Sequence, residues 1–515
     1  MNGTKYRGPT TVVVAVVLLL SAGCGNRSSE ADIARAAARL GSEGLSADTA
    51  PDAGSSVAPA VAAVAGAPSG AVGAALPATP GRAAAPGSAL AAPATATAVT
   101  GAAPPTTGPG PAATAKPGTP AGPTAGSTPA PAGTAATPGC SGVKPEVVIG
   151  TVGTQSGPVG VATNPGVKAV QAWVANQNTN GGVDCHPVRY VVADDGGDPA
   201  RHLALVKQLV ETQHVIGFVF MNAVLSGQAS VQYLNEKQVP VMADDGGGDW
   251  FNSPMHFPAS SGGHGIADLT VAAGARATIP AGLKKLAIIV CQEASVCATY
   301  TDHWARNAPR LGYDVVYRGQ ASLGQPDYTS QCLAAQSAGA QVMMIAFEPN
   351  SVRRLRSSCT SVGFTAPIVL VSVMSTLDMA DDPAFEGTVI AMPTLPWFLG
   401  DRPAIAEYQA TLRRVAPNLP IDQSTIVGWT AAKLFQRAAT GHLSDQPVSA
   451  DLLHGLWSIQ ADDLGGLTYP LGFERGKAPG NGQPCGWVIV IKARHHTTDG
   501  QRFCDTAAAT YTMGR

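Results

Sequence analysis

The stretch "VVIGTVGTQSGPVG" (residues 147–160) joins a short β-branched run to a glycine-rich turn, and it is the first of a series of predicted strands that indicates the fold. Further β-branched runs follow it, and segments with helical patterns lie between them. Strands that alternate with helices form βαβ units, in which parallel strands pair and helices cover both faces of the sheet. The sequence therefore predicts an α/β protein with parallel sheets. The predicted strands are 147–152, 188–193, 215–220, 239–242, 286–290, 342–347 and 367–373, and the predicted helices are 165–178, 201–212, 226–236, 299–311, 328–338 and 351–362.

Composition divides the chain into a tether and a folded part. Residues 25–139 are dominated by Ala, Pro, Gly and Thr and contain no Phe, Tyr or Trp. Such a segment buries too little apolar surface to offset its ordering entropy, so we expect a disordered tether over 24–139. Residues 140–515 are too many for one typical core, which predicts two lobes with one sheet before about Gly262 and one after it.

The first residues are typical of an export signal. A short positive start is followed by the apolar run Val12–Leu20, which is too short to span a bilayer. The small residues Ser21-Ala22-Gly23 then precede Cys24, and this arrangement resembles the bacterial lipoprotein signal, in which that cysteine is lipidated. We expect residues 1–23 to be a signal peptide and Cys24 an anchor on the outer face of the cell membrane. The alternative is a plain secretory signal with an incidental cysteine.

Cysteine parity favours the anchor. The chain has nine cysteines, and removing Cys24 leaves an even number, as expected for disulfides in an oxidising compartment. The remaining cysteines fall into four neighbouring pairs. In chain order, the first pair precedes two strands that lie side by side, the second closes a small loop, the third lies on successive helices, and the fourth flanks a C-terminal hairpin. Sequence does not fix the connectivity, so this pairing is a prediction. The pairs are Cys140 with Cys185, Cys291 with Cys297, Cys332 with Cys359, and Cys485 with Cys504.

The sequence offers little support for catalysis, cofactors or nucleic acid. No GxSxG, HExxH or GxxxxGK[ST] motif is present, and the glycine-rich turn lacks GxGxxG spacing. No cluster has zinc-ligand spacing, and His495-His496 are expected at the surface. The net charge of −2 provides no electrostatic attraction to nucleic acid. We therefore expect no enzyme, no cofactor, no metal and no nucleic-acid partner.

Two acidic stretches, "ADDGGDP" (193–199) and "ADDGGGDW" (243–250), each follow a predicted strand. They lie at the carboxyl end of a parallel sheet, where open α/β folds bind ligands. The alternatives are solvated loops whose Asp residues cap the next helix, as Asp198 is placed to do, and calcium binding. Neither stretch has EF-hand spacing.

Several motifs in order resemble the type I periplasmic binding proteins, and more narrowly the branched-chain amino acid (Leu/Ile/Val) receptors of ABC importers. They are residues 147–160, "NQNTNGGVDCHPVRYVVADDGGDPARHLALVKQLV" (176–210), "GQASVQYLNEKQVPVM" (227–242), "PDYTSQCLAAQSAGAQVMMIAF" (326–347), "GWTAAKLFQRA" (428–438) and "LTYPLGFERG" (467–476). The resemblance implies two Rossmann-like lobes joined by three crossovers and closing on a small ligand. It places lobe 1 at 140–262 with about 393–482, and lobe 2 at 263–392 with about 483–515.

The ligand-binding positions that the resemblance implies depart from the family pattern. The Ser and Thr hydroxyls that bind a ligand carboxylate in amino-acid receptors are missing around Met221–Ala223 and Asp245–Gly247. A carboxylate about 4 Å from Asp244 or Asp245 would be repelled by about 4 kcal/mol at an effective dielectric near 20. We therefore expect a polar ligand without a free carboxylate there, such as a cation, an amide or a polyhydroxy compound. Alternatively, these acids face solvent, or ligand binding has been lost.

The expected ligand residues come from strand ends and nearby loops. Acidic side chains would accept hydrogen bonds from the ligand, and Trp250 and Trp397 would provide aromatic walls. The candidate set is Gln155, Ser156, Asn222, Ser226, Asp244, Asp245, Trp250, Phe347, Glu348 and Ser372.

The resemblance implies a lipid-anchored solute receptor with a small-molecule ligand and an ABC permease as partners. The alternative hypothesis is a ligand-sensing receptor module for a signalling partner, because this fold also serves receptors that signal whether a ligand is bound.

Overall fold

The computed structural model describes residues 140, 142, 144–245, 250, 252–478 and 483–507, apart from the side chains of Pro158, Asp244 and Asp245. The predicted signal, Cys24 and nearly all of the predicted tether lie outside these residues. Within the described residues, no helix is both long and apolar enough to cross a membrane.

Strands and helices alternate along most of the chain. The first part contains β1 (Val147–Gly153), α1 (Gly157–Thr179), β2 (Val188–Asp194), α2 (Pro199–Glu211), β3 (Gly217–Asn222), α3 (Val231–Lys237), β4 (Val241–Asp245) and β5 (His256–Phe257). The middle contains α4 (His264–Thr278), β6 (Lys285–Cys291), α5 (Ser295–Asn307), β7 (Asp314–Ala321), α6 (Thr329–Ser337), β8 (Val342–Ala346), α7 (Pro349–Ser361), β9 (Ile368–Val371) and β10 (Val389–Met392). The last part contains α8 (Pro403–Val415), α9 (Gln423–Ala439), α10 (Ser449–Ser458), β11 (Cys485–Lys492), β12 (His495–Thr497) and β13 (Phe503–Cys504).

The first sheet is parallel, with the strand order β2-β1-β3-β4-β5. β1 is buried along its whole length, as expected for a central parallel strand covered on both faces. Val147 and Ile149 face one core, which α1 and α9 cover, whereas Val148 and Val152 face a second core, which α2 and α3 cover. The period-two alternation of a strand thus separates two apolar layers.

The second sheet has the order β12-β11-β10-β9-β8-β6-β7. Its strands β6 to β10 are parallel, and β11 runs antiparallel to β10 and forms a hairpin with β12. Helix α4 packs against β9, β10 and β11, and α6 packs against α7. The chain passes from the first sheet to the second after β5, returns to pack on the first after β10, and enters the second again at β11.

Helix α1 begins eight residues before the predicted start at Pro165, and a side chain of another helix enters its hydrogen-bond ladder beside the proline. The Ser424 hydroxyl of α9 donates to the Ala162 carbonyl and accepts from the Gly166 N–H. These two groups are the usual i to i−4 partners of each other, and the hydroxyl bridges them next to the Val161 carbonyl, to which Pro165 has no N–H to donate. A Cβ on Gly428 of α9 would overlap the Gly166 carbonyl oxygen, so the two helices cross at backbone distance.

Four disulfides join the described cysteines in the pairs expected from their positions. Cys140–Cys185 links the segments before β1 and β2, and Cys332–Cys359 links α6 to α7. Cys291–Cys297 closes the turn from β6 into α5, and Cys485–Cys504 joins β11 to β13. Every described cysteine is therefore paired, and Cys24 lies outside the described residues.

Candidate ligand-binding cleft

The carboxyl ends of strands from both sheets meet across one cleft. β3 of the first sheet ends at Asn222, and Phe347 and Ser372 directly follow β8 and β9 of the second sheet. Open parallel sheets bind ligands at this edge. Two cavities lie in the cleft, and they share the lining residues Asn222, Tyr300 and Val373. We call them the apolar cavity and the polar cavity.

The apolar cavity has a volume of about 70 Å³ and is walled by both lobes. Val224 and Leu225 contribute from the segment after β3, and Phe347 and Met374 contribute from the second sheet. Cys291–Cys297 forms part of the same wall, so this disulfide fixes the shape of the cleft. The surface that the apolar cavity presents is suited to hydrocarbon.

The polar cavity has a volume of about 60 Å³ and lies against two of the crossovers, at 258–263 and 393–394. Three of its lining residues carry a buried polar atom without a hydrogen-bond partner in the described part of the chain: Asn222 Oδ1, Ser372 Oγ and Thr394 Oγ1. Asn222 is 7% exposed, and the other two are fully buried. Buried polar atoms nearly always find a partner, so these three atoms, on residues that line the polar cavity, are the candidate hydrogen-bonding positions for an occupant.

Two residues beside these atoms adopt left-handed backbone conformations. Phe220 has φ 54° and Ala243 has φ 56°, and both line the polar cavity. Such conformations cost about 1–3 kcal/mol each in a non-glycine residue and concentrate at functional sites. The ends of β3 and β4 are therefore bent where they reach the cleft.

Glu348 lines the apolar cavity, but its carboxylate already accepts hydrogen bonds as the N-cap of α7. The carboxylate oxygens of Glu348 accept from the Asn350 N–H and the Ser351 N–H at 2.6 Å each, and from the Ser351 hydroxyl at 2.5 Å. The Arg354 guanidinium lies 3.7 Å away. This cap uses most of the accepting capacity of the carboxylate, and the expectation that Glu348 accepts hydrogen bonds from a ligand stays a prediction.

The first acidic stretch organises the loops at the end of β2. Asp194 accepts from the Gln155 N–H at 3.0 Å, and Asp198 caps α2 by accepting from the Arg201 N–H at 2.8 Å, as predicted. Within the described residues, no group of three or more His, Cys, Asp or Glu side chains is arranged to hold a metal ion.

Asp195 is buried in a network of charged and polar side chains. Its carboxylate accepts from Thr154, Ser226 and His202 Nδ1 at 2.7 to 3.0 Å. Ser230 donates to the Gly227 carbonyl, and its hydroxyl oxygen also lies 3.0 Å from His202 Nε2. Burial opposes ionisation, but hydrogen bonds from His202, the Gly197 N–H and Ser226 lower the pKa of Asp195.

Three predicted ligand residues lie inside the fold instead of lining the cleft. The Ser226 hydroxyl is buried and committed to Asp195. Trp250 is fully buried in the core of the first lobe, where its ring N–H donates to the Gly227 carbonyl. Trp397 packs edge-on against Phe398 and lines neither cavity. The two tryptophans are therefore not walls of the cleft, because each is used in packing.

The remaining predictions divide in three. Asn222, Phe347, Glu348 and Ser372 are brought together at the cleft. Gln155 lines an open groove between α1 and residues 415–420, and neither it nor the exposed Ser156 lines a cavity of the cleft. The backbones of Asp244 and Asp245 pair with Met221 and Asn222, and their side chains lie outside the described part.

The sequence did not single out several lining residues. Thr394 lies in a crossover, and Tyr300 and Leu225 lie in a helix and a loop without any motif. Cys291 and Cys297 were predicted to close a loop just after a strand. Because ligands bind at the carboxyl ends of parallel strands, that position indicated that the two cysteines could lie near the cleft.

A family model described as "Periplasmic binding protein" matches residues 146–491. No curated protein sequence matches the chain.

Solved structures with the same fold include transport receptors with different ligands. A fatty acid ABC transporter substrate-binding protein from Thermomonospora curvata has a TM-score of 0.62 and 20% identity, over 74% of this chain and 97% of that one. A branched chain amino acid ABC transporter protein from Thermus thermophilus with bound valine has a TM-score of 0.64 and 15% identity, over 72% and 100%. A solute binding protein from R. palustris in complex with benzoate has a TM-score of 0.56 and 17% identity, over 70% and 98%. The shared property at these identities is the fold.

Proposed function

This chain belongs to the periplasmic binding protein family, and from that premise we propose that it is an extracytoplasmic receptor that closes on a small solute and delivers it to an ABC permease. The observation that carries the proposal is the polar cavity, where Asn222 of one lobe and Ser372 of the other present unpartnered polar atoms. A ligand that bonds both residues stabilises the closed arrangement of the lobes, which is the hinge mechanism of two-lobed receptors.

The ligand must be argued from the lining, because the fold alone does not determine it. Among the structures with this fold, one holds valine, another holds benzoate, and a third belongs to a fatty acid transporter. The apolar cavity of this chain is walled mainly by hydrocarbon side chains, and Glu348 is occupied by its helix cap. We therefore narrow the expected ligands, which were a cation, an amide or a polyhydroxy compound, to one that has an apolar part.

Thermal unfolding against a panel of amino acids, amides, alcohols and small carboxylic acids tests the receptor proposal. A ligand at 100 times its Kd stabilises the fold by about 2.7 kcal/mol. Val224→Trp fills the apolar cavity and should abolish the stabilisation, whereas Val161→Trp, on the exposed face of α1, should retain it. Stabilisation that persists unchanged in Val224→Trp would place the ligand outside the cleft and contradict the proposal.

We also propose that Cys24 is lipidated and anchors the receptor to the membrane. Support comes from the small residues before Cys24 and from the pairing of every described cysteine in disulfides. Cys24→Ser should eliminate incorporation of labelled palmitate in bacterial cells and release the protein from the membrane fraction. Membrane retention and labelling equal to those of the unmodified chain would exclude Cys24 as the anchor.

A further inference from the structure

We propose that the ligand is an amphipathic small molecule with an apolar body and a small uncharged head that both donates and accepts hydrogen bonds, such as a primary amide or an alcohol. The body occupies the apolar cavity and the head occupies the polar cavity. The two cavities share Asn222, Tyr300 and Val373, so one molecule can extend through both. This inference rests on the proposed function of the cleft as a solute site.

The apolar cavity selects the body. Leu225, Phe347 and Met374 line it, and Phe347 is held by the Tyr328 ring at 5.0 Å between centroids. The hydrocarbon part of a ligand is removed from water here at a gain of about 25 cal/mol for each Å² buried. A sugar or a polyamine would bury polar groups against this wall without partners, which opposes its binding.

The polar cavity selects the head by its hydrogen-bonding chemistry. The amide oxygen of Asn222 only accepts, so the head must donate at least one hydrogen bond. The Ser372 and Thr394 hydroxyls both donate and accept, so they serve either a carbonyl or a hydroxyl oxygen. A volume of about 60 Å³ has room for a few water molecules, and therefore for a head of a few non-hydrogen atoms.

Among the described residues that line the two cavities, the charges oppose an ionic head. No Lys, Arg or His is among the described residues that line them. A carboxylate would lose its hydration without gaining a cation, and the buried Glu348 carboxylate in the apolar wall would repel it. An ammonium would gain little from Glu348, because its carboxylate already accepts from two backbone N–H groups and the Ser351 hydroxyl.

Two matched series separate the head from the body. One comprises benzamide, benzyl alcohol, benzoate and benzylammonium, and the other hexanamide, hexanol, hexanoate and hexylammonium. In calorimetric titration of the full chain with its disulfides intact, the uncharged members of at least one series should bind at least tenfold more tightly than the anion and the cation. A carboxylate or an ammonium that binds as tightly as its uncharged counterpart would overturn the inference.

Variants of the polar cavity connect this preference to named atoms. Ser372→Ala and Thr394→Val each remove a hydroxyl and should weaken the amide and the alcohol about tenfold while changing the ionic members little. Ser330→Ala, an exposed position on α6, should leave every affinity unchanged. Unaltered amide and alcohol affinities in both cavity variants would contradict the assignment of the head to this cavity.

The outcomes distinguish the ligand class from the receptor function. If neither series binds but another solute stabilises the chain and loses that effect in Val224→Trp, the amphipathic class is wrong and the receptor function stands. If no solute in the series or in the wider panel binds, both proposals fail.

Discussion

At the scale of single residues, the first acidic stretch shows how burial changes the role of a carboxylate. Asp194 and Asp198 hold backbone N–H groups near the surface, whereas Asp195 is buried against the His202 imidazole. The sequence predicted the cap at Asp198 from the following proline. It contained no local signal for Asp195, because the partners His202, Ser226 and Thr154 come from separate elements.

Asp195→Ala should destabilise the chain by about 3 kcal/mol or more, because it leaves the buried polar groups of Thr154, His202 and Ser226 without their shared acceptor. Chemical denaturation monitored by far-UV circular dichroism measures the change. Asp445→Ala is the control, since its 91% exposed side chain lies 3.5 Å from Lys144 and contributes less than about 1 kcal/mol. Equal effects of the two variants would refute a stabilising role for the buried hydrogen bonds of Asp195.

His256 makes the fold sensitive to acid. Burial, and then the nearby charge of His202, lower the pKa of His256 from 6.5 to about 3. Between these values the unfolded chain binds a proton that the folded chain does not, so stability falls as the pH drops below about 6.5. The loss is about 1.4 kcal/mol per pH unit from this group.

His256→Phe should therefore reduce the fall in the free energy of unfolding as the pH is lowered from 6.5 to 4. Neither ring nitrogen of His256 has a partner in the described residues, so the substitution leaves no donor unpaired. Denaturant midpoints measured across this pH range provide the comparison, with His454→Phe, an exposed position on α10, as the control. A variant whose acid limb matches that of the unmodified chain would show that His256 is protonated in the folded state.

At the scale of elements, buried strands were predicted more closely than edges and helix ends. β1, β6 and β8 lie within one residue of their predicted bounds because apolar β-branched runs signal central strands. β7 was not predicted, since it is a half-exposed edge strand that contains Asp314, Arg318 and Gln320. The start of α1 was missed because a proline usually marks the first turn of a helix, and the contact of Ser424, 259 residues away, with the turn around Pro165 is not visible in the local sequence.

Gly428→Ala should destabilise the chain by about 1–3 kcal/mol or more, because its methyl group would push α9 away from the Gly166 carbonyl. Thermal and denaturant unfolding measure the loss. Gly324→Ala is the matched control, since the nearest atom to its Cβ is the Ser322 hydroxyl at 3.6 Å, and a change within about 0.5 kcal/mol is expected. A neutral Gly428→Ala would mean that the helices do not cross at backbone distance.

At the scale of the whole molecule, the two-lobed fold was predicted and the chemistry of the cleft was not. The order of motifs was sufficient for the α/β architecture and the family. The cleft combines Asn222, Phe347, Ser372 and Thr394 from both lobes and a crossover, so no local pattern reveals which polar atoms lack partners. Trp250 and Trp397 were assigned by residue type, and their burial in the cores was invisible in sequence.

Hydrogen–deuterium exchange with and without benzamide or hexanamide, whichever binds more tightly, tests the central claim that one ligand joins both lobes. Exchange should slow in residues 220–225 of the first lobe and in 291–300, 346–349 and 372–374 of the second. Residues 415–420, at the open groove, should not change. Slower exchange in one lobe alone, or at the groove, would contradict a ligand held between the lobes.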